Sequence, residues 1–180
     1  MTAHVHHPSF HARSTPDRPA VIMGGSGEVV TYAEMDEASN RFAQLLRARG
    51  LGVGDTVALC FDNDPALFGL AWGAQRAGVV YVVVSCRLAP PEVAYIVEDS
   101  GAKLLVSTQA LAGIMDEVAK LAPAVPQLRL GGADAHDLAA ALSAMPAHPV
   151  ADERAGCDML YSSGTTGKPK GVRKIGRAHV

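Results

Sequence analysis

The chain has 180 residues, 48% hydrophobic and 19% charged, with 16 Lys+Arg against 18 Asp+Glu for a net charge of −2. That length and apolar content suit one ordinary domain with a real core and exclude disorder. The near-neutral balance excludes a broad electrostatic pull toward nucleic acid or anionic membrane, and no apolar run approaches the ~20 residues needed to cross a bilayer.

The N-terminal "MTAHVHHPSFHARSTPDRPA" lacks the apolar core of a secretory signal. Its His4, His6 and His7 sit on a terminus that orders no coordination sphere, so no metal site is assigned. "AVIMGGSGEVVTY" predicts two short strands around a Gly24–Gly27 hairpin turn. Thr31 and Glu34 form a capping box that opens a helix. Met35, Ala38, Phe42, Leu45, Leu46 and Arg49 follow the three-and-four spacing of an amphipathic helix, and Gly50 is its stop.

"DTVALCFDN" is a strand-length apolar run. Asp64 and Pro65 start a helix that ends at Gly78. "VVYVVVS" is a near-continuous β-branched run, which predicts a central strand buried on both faces. Then follow a helix in "APPEVAYIVEDSG", a strand in "AKLLVS", a helix in "QALAGIMDEVAKLA", a strand in "PQLRLGG", a helix in "AHDLAAALSAM" and a strand in "CDMLYSS". This repeated β–α order predicts an α/β fold, a parallel sheet with helices on both faces. Cys60, Cys86 and Cys157 are odd in number and far apart, so unpaired thiols packed as small core residues in a reducing cytoplasm are expected.

"YSSGTTGKPKGV" follows the last strand directly, where ligands of such sheets bind. Its glycines let backbone N–H groups turn toward an anion, and its hydroxyls can donate to phosphate oxygens. Lys168 and Lys170 add charge on either side of Pro169. A flexible surface turn with solvated lysines is the plainer alternative. A Walker A loop is ruled out. Aligning Gly167-Lys168 with its Gly-Lys puts Ser162 where the first glycine belongs and Pro169 where the metal-binding hydroxyl belongs.

The same stretch resembles the phosphate-loop signature of the acyl-adenylate-forming superfamily, also called AMP-binding. Acyl-CoA synthetases, aryl-CoA ligases, luciferases and peptide-synthetase adenylation domains belong to it. The resemblance spans about residues 9–174 and includes "TYAEMDEASNRFAQLLRARGLGVGDTVAL" and "AWGAQRAGVVYVVVSCRLAPPEVAYIVEDSGAKLLV". "HARSTPDRPAVIMGGSGEVVTY" and "DMLYSSGTTGKPKGVRK" look most like fatty-acid-type acyl-CoA synthetases.

The resemblance implies the first part of the large N-terminal domain of that fold. It also implies that Ser162, Ser163, Gly164, Thr165, Thr166, Gly167 and Lys170 bind the phosphates of ATP; Lys168 falls where the signature varies. The implied reaction joins a carboxylic acid, such as a fatty acid, to ATP with Mg2+, releasing pyrophosphate, and passes the acyl group to coenzyme A. A carrier-protein thiol is the alternative acceptor, and a non-catalytic nucleotide- or phosphate-binding module is the alternative function. Where the family often has a proline and an Asn, this chain has Val83 and Ser85. The family's catalytic lysine, acyl pocket and most CoA contacts follow the segment present, so no catalytic residue is assigned here. Residues 1–174 are read as part of one AMP-binding domain. "IGRAHV", residues 175–180, resembles a reading frame of a sequencing adapter and is read as a non-native tail.

Overall fold

The computed structural model of the protein describes residues 8–133, 136–162 and 169–173. A short helix α1 (Pro8–Ser14), not expected from the sequence, precedes the antiparallel hairpin of β1 (Pro19–Ile22) and β2 (Val29–Thr31). Helix α2 (Tyr32–Ala48) begins at the capping box. Thr31 Oγ1 accepts from the Glu34 N–H at 3.3 Å, and the Thr31 N–H donates to Glu34 Oε2 at 2.8 Å. Two otherwise orphaned donors are satisfied at once, which is why the helix starts there.

The alternation then runs β3 (Thr56–Phe61), α3 (Ala66–Arg76), β4 (Val80–Ser85), α4 (Pro90–Asp99) and β5 (Ala102–Thr108). A 3-10 turn, Gln109–Leu111, leads into α5 (Ala112–Leu121), followed by β6 (Gln127–Leu130), α6 (Leu138–Ser143), β7 (Cys157–Ser162) and β8 (Lys170–Arg173). Asp64 Oδ1 accepts from the Ala66 N–H at 2.8 Å and caps α3 as expected, while Gly78, at φ 69°, ends it. Only a residue at ease in the left-handed region turns the chain so sharply into β4.

The main sheet has the order β6-β5-β3-β4-β7-β8, and every pairing from β6 to β7 is parallel. Strand β8 departs from the expected all-parallel sheet by pairing antiparallel with β7. The connection from Ser162 to Lys170 is too short for a parallel crossover, which takes a dozen or more residues. Helices α2, α3 and α6 pack on one face through Phe42, Leu46, Leu70, Ala74 and Leu138 against Leu59, Leu104 and Leu128. Helices α4 and α5 cover the other through Val93, Val97, Met115 and Val118 against Ala58, Val82 and Leu105. Each fully buried Leu or Phe of these layers contributes about 1.5–3 kcal/mol relative to exposure.

β4 is interior, as expected, but is not buried on both faces along its length. Val83 is 44% exposed. It shares the α2/α3 face with its register partner Leu59, yet the described helices end their cover over β3 and the start of β4. The same open face continues across β7 and the edge strand β8 to Leu160 and Val172, 57% and 60% exposed. The thiols also differ from expectation. All three are free, but only Cys60 is buried; Cys86, in the turn after β4, and Cys157, at the start of β7, are half-buried.

Candidate functional site

β7 carries the front of the Ser/Thr/Gly loop. Alternation along it sends Met159 and Tyr161 toward α4, and Asp158, Leu160 and Ser162 to the opposite, open face. Tyr161 is held by its phenol, whose Oη donates to Asp99 Oδ2 at 2.7 Å at the C-terminal end of α4. Burial, and then that hydrogen bond, push the Tyr161 hydroxyl well above the usual phenol range, so it remains a donor.

β8 returns alongside. Its register puts Ser162 opposite Lys170, Tyr161 opposite Gly171 and Leu160 opposite Val172. Directly opposed residues of an antiparallel pair point to one face. A hydroxyl and an ammonium, both solvent-exposed, therefore stand side by side at the carboxyl end of a strand whose five-strand neighbourhood is parallel. Both are hydrogen-bond donors, and one carries positive charge, so the pair suits an anion.

Of the seven expected phosphate-binding residues, these two, Ser162 and Lys170, are brought together. Ser163, Gly164, Thr165, Thr166 and Gly167, and also Lys168, lie outside the described residues. A hollow of about 560 Å³ opens elsewhere, between the β1–β2 hairpin and the start of α3, lined by Ile22, Asp62, Asn63 and Phe68 among others. No residue of β7 or β8 lines it, so it is separate from the loop. Among the described residues, no cluster of three or more His, Cys, Asp or Glu is arranged to hold a metal ion, and no helix is long and apolar enough to cross a membrane.

Sequence reasoning missed the groups that carry the loop's base. Arg76 is the one charged side chain of α3, "ALFGLAWGAQR", and reads there as a cation complementing a helix C-terminus. In the fold it is 3% exposed and ion-paired to Asp36 of α2 and Glu153 of the connection into β7, each at 2.6 Å. A lone arginine in an apolar helix was the available signal, but nothing local names its partners.

The decisive observation is a family match, to the AMP-binding enzyme model, over residues 9–173. The chain belongs to the AMP-binding enzyme family. A curated AMP-binding relative, the fatty acid–[acyl-carrier-protein] ligase ScoC of Streptomyces coeruleorubidus, is 35% identical over 178 residues, covering 93% of this chain and 34% of that protein. A second, the 3-hydroxybenzoate–CoA ligase of an Aromatoleum strain, is 34% identical over 168 residues, covering 89% and 32%. A solved fatty acyl CoA synthetase from Mycobacterium tuberculosis superposes with a TM-score of 0.79 at 31% identity, covering 93% of this chain and 33% of that one. The chain thus spans about a third of the length of these three relatives, and its α/β architecture is that of the N-terminal domain of such enzymes.

Proposed function

We propose that this chain supplies the phosphate-handling part of an ATP-dependent acid–thiol ligase. The observation that carries the proposal is Ser162 standing in register with Lys170 at the carboxyl end of β7, at the two ends of the signature stretch. In this reading Ser162, Ser163, Thr165 and Thr166 donate hydroxyl hydrogen bonds to the β- and γ-phosphates of MgATP. Gly164 and Gly167 let the backbone approach them, and Lys170 places a charge beside them.

The reaction would run in two steps. A carboxylate oxygen bonds to the α-phosphorus, and the bond to the bridging oxygen breaks. The electron pair leaves with pyrophosphate, and the acid becomes an acyl-adenylate. A thiol then takes the acyl group and releases AMP. The chain's own contribution is to hold the leaving group in line and offset the charge that develops on it. The purified 180-residue chain is expected to bind MgATP or pyrophosphate without releasing pyrophosphate in a carboxylate-dependent way.

One relative is named for a fatty acid and an acyl-carrier protein, the other for 3-hydroxybenzoate and CoA. The first name favours keeping a carrier-protein thiol beside coenzyme A as acceptor. A reducing cytoplasm is the proposed setting, which the three free thiols support.

The test is calorimetric titration of the chain with pyrophosphate and with MgATP, in the wild type, Thr165→Ala, Thr166→Ala, Lys168→Ala and Lys170→Ala. Each threonine change removes a hydrogen bond to a charged group, worth roughly 1.5–3 kcal/mol, or about tenfold to hundredfold in affinity. Lys170→Ala should cost at least as much and Lys168→Ala little. Equal losses at the two lysines, or no binding by the wild type, would overturn the reading.

A further inference from the structure

β7 joins β4 through three registered pairs, Val80↔Cys157, Tyr81↔Asp158 and Val82↔Met159. A slip of one residue carries every side chain of a strand to the opposite face. Such a slip would move Ser162 off the open face. Two side chains outside the loop, Arg76 on the connection before β7 and Tyr161 near its far end, add to the specification of that register.

At the start stands Arg76. Its Nε donates to Glu153 Oε1 at 2.6 Å, and its Nη1 donates to Asp36 Oδ1 at 2.6 Å and Ser39 Oγ at 2.9 Å. The planar guanidinium therefore ties α2 and α3 to the connection that becomes β7, in a fork geometry that a lysine cannot reproduce. Backbone contacts follow the same line. The Arg154 N–H donates to the Arg76 carbonyl at 3.1 Å, and the Gly156 N–H to the Gln75 carbonyl at 2.7 Å. Gly156 passes so close to β4 that a Cβ there would lie 2.2 Å from the Val79 carbonyl oxygen.

At the far end, Tyr161 reaches Asp99 at 2.7 Å. A one-residue slip would put Leu160 or Ser162 in its place, and neither can make that bond from so far. Tyr161 thus favours one register directly, and Arg76 holds the connection where it enters β7.

We propose that Arg76 and Tyr161 are positioning residues that set the register of β7, and with it the place where Ser162 faces Lys170. The functional consequence rests on the reading of this hairpin as a phosphate site; the register claim does not.

The experiment separates the two. Amide hydrogen exchange by NMR on the full 180-residue chain is measured for the wild type, Glu153→Gln, Tyr161→Phe, Arg76→Met and Arg76→Lys, each also titrated with pyrophosphate. Glu153→Gln and Tyr161→Phe, both gentle changes at exposed or half-buried sites, should speed exchange in residues 158–162 at least tenfold and leave β3 and β5 at their wild-type rates. Each should weaken pyrophosphate binding at least threefold, with Arg76→Met stronger and Arg76→Lys intermediate. Uniform acceleration across the sheet, or unchanged exchange in β7, would overturn the proposal. If β7 loosens as expected but the wild type binds no pyrophosphate, the phosphate reading is overturned and the register lock is supported.

Discussion

Gly171 lies in register with Tyr161, and the space its absent side chain would occupy is bounded by the phenol: a Cβ there would stand 3.0 Å from Tyr161 Cζ and Oη and 3.1 Å from Met159 Cε. The ring and its hydrogen bond to Asp99 need a glycine opposite. Gly171→Ala should therefore displace Tyr161 by a few tenths of an ångström and cost about 1 kcal/mol. Gly156→Ala should cost more, about 3 kcal/mol, because its Cβ would meet backbone, the Val79 carbonyl oxygen at 2.2 Å, which cannot step aside. Urea denaturation of the two variants checks the order; equal midpoints would contradict it.

Thiol chemistry should divide the three cysteines. Burial, before any neighbouring charge, pushes the Cys60 thiol up to about 12. Thiolate is the reactive form, so Cys60 is expected to be unreactive in the folded chain, with half-buried Cys86 and Cys157 alkylated first. Mass-spectrometric mapping after brief iodoacetamide treatment at pH 8 reads the order. Cys60 labelled as fast as the others would refute it.

Asp55 gives a pH dependence with a definite sign. Lys103, then the Gly52 N–H, hold its carboxyl below the usual carboxylate range. A depressed folded pKa adds stability above the unfolded value, near pH 4, and loses it as pH falls through the folded one. Asp55→Asn should thus be less stable than wild type at pH 7, by under about 1 kcal/mol for so exposed a pair. The gap should close below about pH 4 and shrink in high salt. Thermal melts across pH 2.5–7 measure it; a gap that widens in acid would reverse the assignment.

The open face of Val83, Leu160 and Val172 should make the isolated chain bind anilinonaphthalene sulfonate and self-associate with rising concentration. Leu160→Lys, on the exposed part of the face, should reduce both without lowering the unfolding free energy by more than about 0.5 kcal/mol. Sedimentation velocity and dye fluorescence report the outcome. A wild-type chain that stays monomeric and dark would contradict the expectation.

Local chemistry explains what could be read beforehand. Thr31 with Glu34, Asp64 with Pro65, and Gly78 each mark a boundary by interactions within a few residues, so those helices were legible. The apolar runs of β3, β4 and β5 were legible for the same reason. β8, "KGVR", was not, because it is a strand by pairing with a partner it meets after turning. Val83 misled because a β-branched run reports strand propensity, not whether a helix covers it. Of the site, residue types and placement after a strand were visible in "YSSGTTGKPKGV". The Arg76 and Tyr161 contacts were not, since they join residues 77 and 62 positions apart.

Those separations also bear on the order in which the molecule assembles. β3, β4, β5 and β6 are joined by short βα units, and can pair before the chain beyond residue 130 exists. β7 must instead travel back across the finished layer to β4, so its docking carries most of the long-range closure that slows folding. During synthesis the β7–β8 hairpin would settle after β3–β6, onto a platform already built. Pulse-labelled exchange during refolding should show β3 and β5 amides protected before those of β7; simultaneous protection would mean that the six strands condense together instead.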